Sequence, residues 1–142
     1  MRLIWLRAVF MASAAIGALD AACAQQSEVG KEDYLKLCSG CHGVTGKGDG
    51  PNAKGLRKPP ADLTKLSQSN NGSFPLVRVY YAMDGKLEII IHGPRDMPSF
   101  FEILKKDVMS RRGEYLSYDL VESLARLRMI EVIEYVMSLQ NK

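Results

Sequence analysis

Two cysteines three positions apart, with a histidine directly after the second, constrain this 142-residue chain more than any other feature. They form Cys38-Ser39-Gly40-Cys41-His42. The local structure there must present two thiols along one edge and carry an imidazole just beyond them. Only three cysteines occur in the chain, and the third, Cys23, lies in a segment of different character.

That segment is the N-terminus. Arg2 and Arg7 make a basic start, and an apolar, small-residue run follows from Ala8 to Leu19. Ala22-Cys23-Ala24 then places small residues where a signal peptidase reads them, with Gln25 as the new N-terminus. The run is shorter than the roughly 20 apolar residues a spanning helix needs, which favours a cleaved leader over a retained anchor. The expected division is a signal peptide over 1–24 and one domain over 25–142. Lipid modification of Cys23 is a weaker alternative, because Asp20 stands where a lipidation signal wants an aliphatic residue. Removing 1–24 deletes Arg2, Arg7 and Asp20, so the formal charge of +3 falls to +2. So small a charge does not suggest nucleic-acid binding, which needs a clustered basic face. With 46% hydrophobic and 25% charged residues, the composition is that of a soluble globular protein.

Four chemistries compete for the motif. A zinc knuckle needs four ligands with a second cysteine or histidine pair at suitable spacing, and the only other histidine is His92. A thioredoxin-like pair wants a preceding strand and a βαβ pattern, and neither is visible. A structural disulfide would suit an exported protein. Covalent haem attachment explains all three residues at once. Each thiol can add across one vinyl group, and two intervening residues let the pair reach neighbouring vinyls. The histidine is then carried under the iron as proximal ligand. Attachment takes place outside the cytoplasm, so the leader and the motif agree.

Residues 28–38 read as a short helix that delivers Cys38 and stops at Gly43. Residues 43–60 read as an irregular loop rich in glycine and proline. Gly46-Lys47-Gly48-Asp49-Gly50 fails the phosphate-loop pattern, lacking a preceding strand and a following helix. Close passage of backbone over a flat cofactor would explain its glycines. Lys47, Lys54, Arg57 and Lys58 make this loop basic, as a solvated loop or as a docking rim for an acidic redox partner. In the polar stretch 61–72, Asp62, Ser67 or Asn71 could cap a helix. Residues 74–82 suit a strand by composition or a short helix begun by Pro75. From 114 to 140, Leu116, Leu120, Leu124, Leu127, Ile130, Ile133, Val136 and Leu139 recur at helical spacing. They predict a long helix that starts between 114 and 120, with Asp119 and Glu122 as an N-terminal capping pair.

A six-coordinate iron needs a second donor. The candidates are Met83, Met97, Met109, Met129, Met137 and His92. Met129 and Met137 fall in the long helix, where packing is the simpler reading. Met97 sits in Gly93-Pro94-Arg95-Asp96-Met97-Pro98, an extended segment that two prolines stiffen, and is the expected ligand. His92 is its main competitor.

At this point the sequence resembles the bacterial class I c-type cytochromes over roughly 28–140. The resemblance rests on Cys-Ser-Gly-Cys-His-Gly at 38–43, Gly-Lys-Gly-Asp-Gly-Pro at 46–51 and Pro-Pro-Ala-Asp-Leu-Thr at 59–64. It also uses His-Gly-Pro-Arg-Asp-Met-Pro at 92–98 and Ile-Glu-Tyr-Val-Met-Ser-Leu-Gln at 133–140. It implies an all-α cytochrome c fold whose N- and C-terminal helices cross, with loops and short helices around one covalently bound haem c. It tips 74–82 towards helix. It implies thioethers at Cys38 and Cys41, His42 as proximal ligand and Met97 as distal ligand. It further implies that Gly30 and Tyr34 meet Val132 and Tyr135 at the crossing, and that the carbonyl of Pro59 or Pro60 accepts from His42. Ser99 and Phe100-Phe101 depart from the usual residues after Met-Pro. The expected function is single-electron transfer in the periplasm between redox protein partners, with no enzymatic activity. A haem subunit or dedicated acceptor of a dehydrogenase or oxidase complex is the first alternative. A gas sensor or peroxidase-like protein, with Met97 off the iron, is the second.

Overall fold

The structure is a computed structural model that describes residues 28–85, 97–112 and 115–141. The leader, Cys23 and His92 lie outside the described residues. Every regular element among the described residues is helical. Helix α1 spans 28–37, and α2 is a single turn, Ser39–His42. Short 3-10 turns follow at Ala53–Gly55, Leu63–Lys65 and Gln68–Asn70. Helices α3 (Leu76–Asp84), α4 (Phe100–Arg112) and α5 (Tyr118–Ser138) complete the fold. None of these helices is long and apolar enough to cross a membrane.

Local chemistry explains most boundaries. Gly43, at φ 79°, ends α2 and supplies the expected stop. Asp62 caps the Leu63–Lys65 turn, its carboxylate accepting from the Thr64 N–H at 3.0 Å. Pro75 stands just before α3, and Gly85 ends it in the left-handed region at φ 87°. The segment 74–82 is therefore helical. The cap of α5 is Ser117, whose Oγ accepts from the Leu120 N–H at 3.3 Å, and not the expected pair Asp119 and Glu122. Ser117 has the extended backbone an N-cap requires, whereas Asp119 is already inside the first turn.

The core joins α1, α3, α4 and α5 through Tyr34, Met83, Phe100, Phe101, Leu104, Ala125, Met129, Val132, Ile133 and Val136. On α5 the buried face is Val121, Ala125, Met129, Val132, Ile133 and Val136. Of the recurring apolar row, Ile133 and Val136 are buried, whereas Leu120, Leu127 and Ile130 are 45%, 46% and 43% exposed. Helix α4 had no counterpart in the sequence reading. Its buried side, Phe100, Phe101, Leu104 and Val108, is a short row among Lys105, Lys106, Asp107 and Arg111.

Helices α1 and α5 cross as expected. A Cβ on Gly30 would collide with the carbonyl group of Glu131, so only glycine permits this approach. Tyr34 packs on Tyr135 with ring centroids 5.1 Å apart and planes tilted by 51°. Beside the crossing, Arg128 of α5 grips the buried Asp33 of α1 in two-pronged fashion, Nε to Oδ2 at 2.8 Å and Nη2 to Oδ1 at 2.5 Å. Its Nη1 also reaches Asp107 of α4 at 2.6 Å. Three helices thus share one guanidinium. Its bonds to the two carboxylates, that to Asp33 first, hold it protonated well above the ordinary arginine value.

Candidate haem-binding site

Cys38 closes α1 and opens α2. Its N–H donates to the Tyr34 carbonyl at 2.8 Å, and its own carbonyl accepts from His42 at 2.9 Å. The single turn of α2 therefore sets both thiols and the imidazole on a continuous helical path. A one-turn helix leaves carbonyls without partners. The glycine loop supplies them: Asn52 N–H donates to Gly40 at 2.8 Å, Gly50 to Cys41 at 3.1 Å and Gly48 to His42 at 2.8 Å. A Cβ on Gly50 would strike the carbonyls of Ser39 and Gly40. The loop glycines thus serve close passage against the motif's own backbone. No residue of 43–60 is among those lining the cavity described next. Lys47, Lys54, Arg57 and Lys58 are exposed.

The cavity, about 480 Å³, is bounded by α1, the motif, the 61–70 segment, α3, Met97 and α5. Its walls include Cys38, His42, Leu63, Val79, Met83, Met97, Val132 and Val136. That size falls in the range of roughly 300–1,000 Å³ usual for ligand and cofactor pockets, and a mostly apolar lining with few polar groups is typical of them. Both cysteines are free thiols, Cys38 buried and Cys41 partly exposed. Burial, then the nearby Asp33 and Cys41, pushes the Cys38 thiol up to about 12. Burial in this apolar setting disfavours the thiolate of Cys38.

The His42 Nδ1 lies 3.0 Å from the carbonyl oxygen of Ala61. With its proton on Nδ1, the ring donates there and leaves Nε2 free to bind a metal. Burial pulls the imidazole below its ordinary value, against the opposing effect of the Ala61 bond, and so favours the neutral, metal-binding form. The acceptor is neither Pro59 nor Pro60, as the resemblance implied. The Pro60 carbonyl instead faces Gly48, where a Cβ would strike it.

Of the five sulfur candidates among the described residues, Met83 and Met97 line the cavity. Met129 is wholly buried in the core, whereas Met109 and Met137 are exposed. Met83 is fixed within α3 and is buried. Met97 packs on the core from an irregular segment just before α4. Two residues on, Ser99 Oγ donates to the Asp84 carbonyl at 2.9 Å and ties the start of α4 to the end of α3. Sequence reasoning missed this tie and the Asp33–Arg128–Asp107 cluster. A charged residue at regular spacing on a long helix gives no sign that it is half-buried. Tyr34 adds a further brace, its hydroxyl donating to the Gly43 carbonyl at 2.7 Å.

The residues present fit a haem: an apolar cavity with one thiol, Cys38, one oriented imidazole and two thioethers on its walls, while the second thiol, Cys41, lies in the adjoining turn of α2 and is not among the lining residues. A family model described as "Cytochrome C oxidase, cbb3-type, subunit III" matches residues 25–111, more than half of the chain. Comparison with curated proteins gave no match, and comparison with solved structures gave none. On this match, the motif and the all-helical fold, the chain belongs to that family, within the class I c-type cytochromes, whose cytochrome c domain works by haem-based electron transfer with redox partners.

Proposed function

We propose that this chain is an exported, periplasmic monohaem electron carrier, with haem c attached through Cys38 and Cys41 and iron held between His42 and Met97. The observation that carries the reading is that Cys38, His42 and Met97 line one apolar cavity while Ala61 fixes the imidazole ring. Bound haem supplies a one-electron ferric/ferrous couple. The chain's own residues do the rest. The Cys38 and Cys41 sulfurs would tether the group, and Nε2 of His42 and Sδ of Met97 would hold its iron. Leu63, Leu66, Val79, Val132 and Val136 exclude water, and with methionine ligation this favours a relatively high potential. No general base or nucleophile enters this scheme, and the chain acts as carrier and not as catalyst.

The test is expression with the c-type maturation machinery, followed by a haem stain on a denaturing gel. Haem should stay with the wild-type polypeptide, be lost from the double variant Cys38→Ala/Cys41→Ala, and be absent from the leader-bearing cytoplasmic precursor. Met97→Ala should abolish the weak long-wavelength absorption of methionine-ligated ferric haem and let the ferrous protein bind carbon monoxide rapidly. Non-covalent haem, or a Met97→Ala spectrum identical to wild type, would overturn the assignment. The family's description favours a second reading, a haem subunit of an oxidase complex. Stable co-purification with an oxidase at high salt would select it over a free carrier.

A further inference from the structure

Met97 belongs to no helix: α3 ends before it, at Asp84, and α4 begins just after it, at Phe100. Helix α3 walls the cavity through Val79, Ala82 and Met83, and Met97 reaches the cavity from the start of α4. The spacing of α3 and α4 therefore sets where the Met97 thioether lies. One tie across that spacing is the Ser99 bond to the Asp84 carbonyl. A second tie comes from outside both helices. Arg126 of α5, half-buried, donates from Nη1 to the Tyr80 hydroxyl on α3 at 2.7 Å. The same guanidinium lies over the Phe101 ring on α4, 4.4 Å from its centroid. Phe101 is part of the core, and Tyr80 packs against it. The bond to Tyr80 first, with the charges of Asp84 and Glu122 adding and burial opposing, holds Arg126 protonated above the ordinary arginine value.

A guanidinium is planar, so it can donate at its edge and stack with its face. The ring quadrupole of Phe101 attracts the charge, and more strongly where water is kept away. We propose that Arg126 is a positioning residue for the distal ligand: by holding α3 to α4 it keeps the Met97 thioether presented to the cavity. The inference rests on the reading of Met97 as axial donor. Two neighbouring cations show what is particular to Arg126. Arg128, two positions on, spends its bonds on Asp33 of α1 and Asp107 of α4. Lys105 also lies over Phe101, at 5.5 Å, but its bonds go to Glu102 of α4 and Tyr118 of α5. Arg126 is the one of the three that bonds to α3.

Arg126→Met keeps an unbranched side chain and removes both ties. Covalent haem should remain in the variant, while the long-wavelength band of methionine-ligated ferric haem weakens. The ferrous holoprotein should bind carbon monoxide about tenfold faster, the factor that one hydrogen bond with a charged partner is worth. Arg126→Lys can still donate to Tyr80 and lie over Phe101, and should restore most of the band and of the slow rate. Lys105→Met should leave both as in wild type. Urea unfolding of the same proteins separates positioning from general support. A lower midpoint with an unchanged band and rate means that Arg126 only stabilises the fold, and overturns the inference. So does a change in Arg126→Met that Arg126→Lys does not reduce, or that Lys105→Met equals. If Arg126→Met does not mature, Tyr80→Phe decides, since it deletes a single hydroxyl. Faster carbon monoxide binding in Tyr80→Phe supports positioning, and the wild-type rate overturns it. Failure of the Met97 reading looks different: the band would be absent from wild type, or unchanged in Met97→Ala, before Arg126 is altered.

Discussion

Gly30 has nowhere to put a methyl group. A Cβ would meet backbone, the Glu131 carbonyl, and backbone in the middle of a helix cannot swing aside. Gly30→Ala should cost about 1–3 kcal/mol despite the higher helix propensity of alanine. Urea denaturation of the holoprotein measures it, and a neutral or stabilising result would show that α1 can shift along α5. Ser99 offers a complementary case. Ser99→Ala removes the tie to Asp84 and should cost about 1 kcal/mol of stability. Its more telling sign is loss of the methionine-ligation band at a lower pH or temperature than in wild type. At this scale the sequence was most informative where chemistry demands particular atoms. Cys38, Cys41, His42 and Met97 could be put forward because few residue types can bind haem, and three of them, Cys38, His42 and Met97, line one cavity. The acceptor for His42 could not, since any backbone carbonyl serves equally and Ala61 has no side-chain signature.

Helix α5 shows how the extent of an element can be legible while its buried face is not. Its start and length follow from periodicity, but the recurring row is buried only towards its C-terminal end, at Ile133 and Val136, while Leu120, Leu127 and Ile130 are exposed. Burial is set by partners. Gly30 and Tyr34 of α1 select the face bearing Val132, and that choice is invisible in α5 alone. Met129→Ala should cost about 2–5 kcal/mol, whereas Leu127→Ser should stay within about 0.5 kcal/mol of wild type. Equal costs measured by thermal or urea unfolding would mean the helix is rotated. Arg128 adds a second contrast. Arg128→Met strands the buried Asp33 and should cost about 3–5 kcal/mol. The Asp107 carboxyl lies below its ordinary value, chiefly through its bond from Arg128, with Arg111 adding and partial burial opposing. A depressed folded pKa adds stability that is present above the ordinary value of about 3.9 and is lost as pH falls through the folded one. The stability gap between wild type and Asp107→Asn should therefore shrink as pH drops below about 4.

The whole molecule is arranged around a cavity that its own side chains do not fill. A haem-free Cys38→Ala/Cys41→Ala chain should keep most of its helix yet unfold at markedly lower urea concentration, with a weak near-ultraviolet circular dichroism signal. A stability equal to that of the holoprotein would mean the cavity closes without its occupant. The all-helical class and the crossing of α1 and α5 were legible at this scale, through the resemblance more than through periodicity. The role of the glycine loop was not, because glycine signals close approach without saying to what. The crossing also governs the order of events in time. Arg128 and Asp33 are separated by 95 positions along the chain, and Gly30 and Glu131 by still more. Contacts so distant in sequence close late and slowly, since a long loop of chain must first be brought together. Cys38 shares one core cluster with Val132 and Val136 of α5, so its thiol should stay open to a reactant until the crossing closes.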